Sequence, residues 1–232
     1  MLNEDKLIFF TGAPGSKWSA VSYVLSECMD VDITDRTPDR LMIHKDKYNG
    51  VRHVGLYFGP GQELGHNFHL INTLSKQEIC DQIKQGWPTW DDDKYHIIRC
   101  HQFIHNIDWI IENFPTSKAV IVARKPESSI NGWESVGGID IPYPHYKEYY
   151  QDSETARRLI REETQLAHEA FFNHEMDIHV ASKGHFKRKF GLDFEEDEVI
   201  AKYVRSLEGW MYVNEDPKSG LKHDVLIGYH GF

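Results

Sequence analysis

Apolar residues gather in three short, continuous runs along this chain: Lys6-Leu-Ile-Phe-Phe-Thr11, Tyr95-His-Ile-Ile-Arg-Cys100 and Ala119-Val-Ile-Val-Ala123. Runs of this length, rich in Ile, Val and Phe, predict strands buried on both faces. Between them the period changes. Trp18, Val21, Val24, Leu25 and Cys28 recur at helical spacing, which predicts a helix over Lys17–Cys28. Helices are also expected around 75–85, 107–113 and 127–134. A longer one is expected from Ser153 to about His174, with Ala156, Leu159, Ile160, Leu166, Ala167, Ala170 and Phe171 on one face. Asp177-Ile-His-Val-Ala181 suits a last strand and Glu196–Gly209 a last helix. Strands alternating with helices imply an α/β fold, a three-layer α/β/α arrangement around a mainly parallel sheet.

The rhythm fails between Val31 and Phe68. Arg40–His44 and Val51–Phe58 suit short strands, Gly59-Pro-Gly61 a turn and Gly65-His-Asn-Phe-His69 a polar, aromatic loop. This stretch, about 31–68, is expected to be an insertion on the core, over a substrate site. The tail from Trp210 to Phe232 carries Pro217, Gly220, Gly228 and Gly231 and is expected to be irregular. Without repeats or a low-complexity linker, residues 1–232 are expected to form a single domain.

Acidic residues outnumber basic ones, 36 to 26, for a formal charge of -10. That balance argues against a general nucleic-acid binder, so an anionic ligand has to be held by a local cluster of donors. No apolar stretch approaches the ~20 residues that span a bilayer. The opening Met1-Leu-Asn-Glu-Asp5 lacks the basic start of a signal peptide. Cys28, Cys80 and Cys100 are odd in number and widely spaced, as free thiols of a reducing compartment are. A cytoplasmic protein with neither membrane nor nucleic-acid partners is expected; oligomeric state is not legible.

The candidate chemistry begins at Thr11-Gly-Ala-Pro-Gly-Ser-Lys-Trp-Ser19. A glycine-rich turn between a buried strand and a helix aims backbone N–H groups at one point, and the helix N-terminus adds partial positive charge. Gly12, Pro14, Gly15, Ser16, Lys17, Trp18 and Ser19 are the expected phosphate-binding residues of this P-loop-like, nucleotide-binding turn. The ATPase and kinase pattern places glycine before the lysine and a hydroxyl after it; here those places hold Ser16 and Trp18. The following strands lead to His101 and Arg124 rather than to an acidic metal ligand. Gly65–His69 lacks the i, i+4 histidine pair of a helical zinc site, and no metal residues are assigned.

Three segments together resemble the sulfotransferases that use 3′-phosphoadenosine 5′-phosphosulfate (PAPS). Their first motif runs proline, basic residue, serine, glycine, threonine, hydroxyl; Pro14-Gly-Ser-Lys-Trp-Ser19 is similar, with the basic residue and the glycine exchanged. Their second, an arginine after a buried strand with proline two places on, resembles Arg124-Lys-Pro126. Where that family has a serine eight residues after the arginine, this chain has Gly132, so Asn131, Ser128 or Ser129 has to substitute. Ile97-Ile-Arg-Cys-His101 looks like the family strand that ends in its catalytic histidine. The resemblance spans Lys6 to about Trp133 and marks the chain as a divergent member.

The resemblance implies transfer of a sulfuryl group from PAPS to a hydroxyl or amine of a small-molecule or carbohydrate acceptor. His101 becomes the general base, Lys17 stabilises the departing bridging oxygen, and Arg99 steadies the same site. Arg124, with Ser128 or Asn131, holds the 3′-phosphate; Trp18 or Trp133 stacks on adenine, with helix core an equal alternative for Trp18. The aromatic stretch Tyr143–Tyr150 joins the insertion as a candidate acceptor pocket. A transferring sulfuryl group carries less negative charge than a terminal phosphoryl, so lysine and backbone donors can serve without a metal. The alternatives are a P-loop small-molecule or nucleotide kinase, which needs an acidic magnesium ligand such as Asp108 or Asp91–Asp93, and a non-catalytic nucleotide-binding relative.

Overall fold

Leu7–Gly12 forms the first strand, β1, and all six of its residues are buried. The structure, a computed structural model, describes residues 2–43, 52–141, 145–192 and 225–232. After β1 come helix α1 (Trp18–Cys28), the short strands β2 (Leu41–Ile43) and β3 (Arg52–Val54), and α2 (Lys76–Lys84). Then follow β4 (His96–Arg99), α3 (Ile107–Asn113), β5 (Lys118–Ala123), α4 (Pro126–Ser135) and α5 (Tyr146–Tyr150). The chain closes with α6 (Ser153–Asn173), β6 (Asp177–Val180), α7 (Lys183–Phe190) and β7 (Leu226–His230).

The main sheet has the order β4-β1-β5-β7-β6. β1 pairs in parallel with β4 and β5, while β7 runs antiparallel to both of its neighbours. The architecture is thus α/β around an open five-stranded mixed sheet. β1 lies between two parallel neighbours, so its side chains need apolar cover above and below. Ile8 and Phe10 pack with the α1 residues Ala20, Val21, Val24 and Leu25 and with Phe186 of α7. Leu7 and Phe9 point the other way, among Phe103, Ile110, Phe114 and the α2 residues Ile79 and Ile83. Each large apolar side chain among them contributes roughly 1.5–3 kcal/mol by leaving water.

The expected irregular tail is corrected in its last part. Leu226–His230 is a strand, and it separates β5 from β6. Gly228 lets α6 close on the sheet there: a Cβ on it would stand 2.5 Å from the Phe171 ring. The helix expected over Glu196–Gly209 and the tail from Trp210 to residue 224 lie outside the described residues. No described helix is long and apolar enough to cross a membrane.

The segment after α1 carries the short antiparallel pair of β2 and β3, so the strand expected over Val51–Phe58 is cut to three residues. The segment closes on the free edge of β4. The Asp32 N–H donates to the Tyr95 carbonyl at 2.8 Å, and the Phe58 N–H donates to the Arg99 carbonyl at 2.7 Å. Its polar ties explain the serines of α1. Ser22 meets Arg99, and Ser19 hydrogen-bonds Tyr57.

Candidate functional site

The loop from Gly12 to Lys17 sits where β1 ends between β4 and β5. A Cβ on Gly12 would lie 2.8 Å from the Val122 carbonyl oxygen and 2.9 Å from Trp18 Cβ, so only glycine fits. Gly15 has φ of 77°, and a Cβ there would come within 1.9 Å of the Ser129 carbonyl oxygen. From the other side, a Cβ on Gly132 would stand 2.7 Å from the Gly15 oxygen. Loop and α4 therefore meet backbone to backbone. This contact occupies the place of the serine expected at position 132.

The chain then turns sharply into α1. Ser16 donates its N–H to the Ala13 carbonyl at 3.0 Å, and Lys17 adopts a left-handed conformation (φ 72°) before the first helical residue. Its carbonyl accepts from the N–H groups of Ala20 and Val21, each at 3.1 Å. Pro14, Ser16, Lys17, Trp18 and Ser19 are all buried, with Lys17 9% exposed. The Ser16 and Ser129 hydroxyls are fully buried and lack a hydrogen-bond partner among the described residues. Burying a hydroxyl without a partner costs about 1–3 kcal/mol. The loop thus contains one hydroxyl, Ser16, whose hydrogen-bonding capacity is unused among the described residues, and Ser129 on α4 is a second.

His101 follows β4 at the start of a 3-10 turn, His101–Asn106. Thr11 Oγ donates to the His101 carbonyl at 2.8 Å. The His101 Nδ1 lies 2.5 Å from the carbonyl oxygen of Gly12. A carbonyl only accepts, so Nδ1 carries the proton and a neutral ring keeps its lone pair on Nε2. Burial pushes the imidazole pKa down to about 4, against the opposing effect of the Gly12 carbonyl. At neutral pH the ring is therefore uncharged and able to accept a proton at Nε2. Trp18 packs on it with ring centroids 3.9 Å apart.

Other expected site residues have different surroundings. The Arg99 guanidinium is 3% exposed and donates to Asp35 at 2.9 Å, to Ser22 at 2.6 Å and to the Leu56 carbonyl at 3.2 Å. This corrects its expected catalytic place: it pins the 31–58 segment onto α1 and β4. Arg124 is 1% exposed and donates to the carbonyls of Ser128, at 3.0 Å, and Gly15, at 3.4 Å. It fastens the loop to α4. Ser128 is half-buried beside it, whereas Asn131 is exposed.

Trp18 packs against Phe10, Tyr57 and His101, and Trp133 donates its ring N–H to the Tyr146 hydroxyl at 2.7 Å. Both rings are core side chains with almost no exposure, which corrects the expectation that either stacks on adenine. Of the aromatic stretch, Tyr146 and Tyr150 are buried, Tyr149 is half-buried, and Tyr143 lies outside the described residues. Among the described residues, no group of three or more His, Cys, Asp or Glu side chains is placed to hold a metal ion.

Loop, His101 and Arg124 thus come together at one end of three adjacent parallel strands, while Arg99 and Asn131 do not join them. Sequence reasoning missed Asp35 and Tyr57. Asp35 meets Arg99 across 64 residues, and no local pattern announces it. In the loop the Ser16 hydroxyl is the donor left without a partner among the described residues, while Gly132 is taken up by the loop and Arg124 donates to carbonyls. Comparison with family models, with curated proteins and with solved structures finds no match for this chain.

Proposed function

We propose that this chain is a sulfotransferase that moves a sulfuryl group from PAPS to a hydroxyl or amine of a small acceptor. The observation that carries this is the coupling of His101 to the loop. The imidazole is neutral, has a defined tautomer and is fastened to Gly12, the residue from which the phosphate-binding turn departs. A base is useful only when held against the group that it serves, and this hydrogen bond holds His101 against the proposed phosphate-binding turn.

PAPS supplies the activated sulfuryl group when bound. His101 Nε2 takes the proton of the acceptor, while the Gly12 carbonyl steadies the imidazolium that forms. Lys17 and the Ser16 hydroxyl bind and orient anionic oxygens at the start of α1, where the helix dipole favours negative charge. Arg124 works indirectly, by keeping the loop seated on α4. Arg99 is a positioning residue for the segment that covers α1.

The burial of Ser16 and Lys17 favours a second reading, a non-catalytic relative in which the turn is closed by packing. One experiment separates the two. Wild type and His101→Ala are incubated with PAPS and a panel of alcohols, phenols, sugars and amines, and release of 3′-phosphoadenosine 5′-phosphate is followed. Sulfuryl transfer requires acceptor-dependent release that falls by about 10²–10⁴-fold in His101→Ala, the usual contribution of a general base. Release that is equal in both proteins, or absent from both across the panel, counts against it.

A further inference from the structure

The Glu163 carboxylate is fully buried on α6, and neither of its oxygens has a hydrogen-bond partner among the described residues. An ionised carboxylate in such a place is unstable unless a positive charge lies close by. The basic group paired with it is His105, whose Nε2 is 3.8 Å away, within ion-pair range but beyond hydrogen-bonding distance. The other face of the same imidazole meets Glu162, with Nδ1 to Oε1 at 4.0 Å, and Glu162 is tied to Arg158 at 3.4 Å. His105 is 23% exposed. It therefore connects solvent to a carboxylate that water does not reach.

We propose that His105 and Glu163 form a one-proton clamp, which binds the His101–Asn106 turn to α6 only while the pair retains its proton. The clamp adds a tie to α6 beside those that the turn already has through His101, Gln102 and Asn106. His101 at its start is fastened to the Gly12 carbonyl, and His105, one turn on, is fastened to α6. Glu163 and His105 are positioning residues, and the consequence for catalysis rests on the proposed role of His101 as base.

The phenols and the thiol near the pair supply neither this proton nor the missing charge. Tyr146, Tyr149 and Tyr150 of α5 and Cys100 at the end of β4 all lie in the field of Glu163, and burial keeps each in its neutral, protonated form. The acids that α4 presents toward α6, Glu127 and Glu134, are paired at the surface with Arg161 and Arg157.

The direction of pH dependence follows. Glu163 raises the His105 pKa above its usual 6.5, outweighing burial. Burial raises the Glu163 pKa above its usual 4.5, against the favourable effect of His105. Both groups hold protons more tightly in the folded chain than in the unfolded one. The clamp thus stabilises fully at low pH and loses its effect as pH rises through the raised His105 value. Above that point a buried carboxylate is left without a counter-charge.

The test is a paired measurement on the full chain. Histidine NMR titrations give the His105 midpoint, and urea unfolding is followed from about pH 6 to about pH 9 for wild type and Glu163→Gln. The wild-type midpoint is expected above 6.5 and should fall in Glu163→Gln. Over the same range, the ratio of wild-type to variant folding constants should drop by up to about tenfold per pH unit. A wild-type midpoint at or below the ordinary histidine value overturns the clamp, even if Glu163→Gln fails to fold. So does a midpoint or pH slope unchanged by the substitution. Neither readout requires turnover, so failure of the clamp and failure of the sulfotransferase assignment are told apart.

Discussion

The Nδ1 of His101 donates to the carbonyl oxygen of Gly12 across 89 residues of sequence. One hydrogen bond thereby joins the end of β4 to the start of the glycine-rich loop and fixes which ring nitrogen stays basic. The same bond makes the imidazole part of the core, and this has a consequence for stability. The folded pKa lies at about 4, below the ordinary 6.5, so the unfolded chain binds the proton more readily between those values. Stability from this residue is complete above about pH 6.5 and is lost as pH falls toward 4. The loss is on the order of 3 kcal/mol. Urea unfolding at pH 7 and pH 4 should show a difference smaller by about that amount in His101→Asn than in wild type.

Gly132 illustrates a departure from the family pattern that has a steric cause. Gly132→Ser restores the expected hydroxyl but places a Cβ 2.7 Å from the Gly15 oxygen. The substitution is expected to destabilise by about 1–3 kcal/mol, because the contacting atom is backbone and cannot rotate aside. Urea unfolding measures this directly. An unchanged midpoint means that the loop is not seated on α4.

The Asp35–Arg99 pair is buried on both sides, at 1% and 3% exposure. Asp35→Ala should cost about 3–5 kcal/mol, since it strands a guanidinium in the core. The double variant Asp35→Leu, Arg99→Met should recover most of that loss, because no unpaired charge remains. Chemical denaturation of the three proteins provides the comparison. Equal losses in the single and double variants would show that packing, not charge, dominates.

Lys17 holds a left-handed backbone conformation that side chains with a Cβ disfavour by about 1–2 kcal/mol. Comparison of Lys17→Gly with Lys17→Ala isolates this term, as both lack the amine. The glycine variant is expected to be more stable by about 1 kcal/mol in thermal or urea unfolding.

The parts of the fold legible in the sequence were those whose signal is local. Phe9 and Phe10, packing to opposite faces of β1, the Trp18–Leu25 stripe and the long face from Ala156 to Phe171 each carry their own period. Leu226–His230 lacked that signal, because Gly228 interrupts a five-residue run whose partners are far away in sequence. Its glycine is a packing device against Phe171 rather than a turn. The placement of His101 just after β4 was legible from the apolar run before it, and the turn between β1 and α1 from its glycines. The employment of Arg99 was not, since a strand-end arginine looks the same whether it faces a ligand or Asp35. Trp18 failed as an adenine platform for a related reason: the first residue of a buried helix belongs to the core it caps.

The central claim, that the Gly12–Ser19 turn binds a phosphosulfate-type nucleotide, is tested most directly by calorimetric titration with 3′-phosphoadenosine 5′-phosphate in buffer containing EDTA. Wild type should bind at one saturable site, and Lys17→Ala should bind about tenfold more weakly, as loss of one charge-assisted contact predicts. No binding by the wild type, or binding of ATP with magnesium alone, would contradict it.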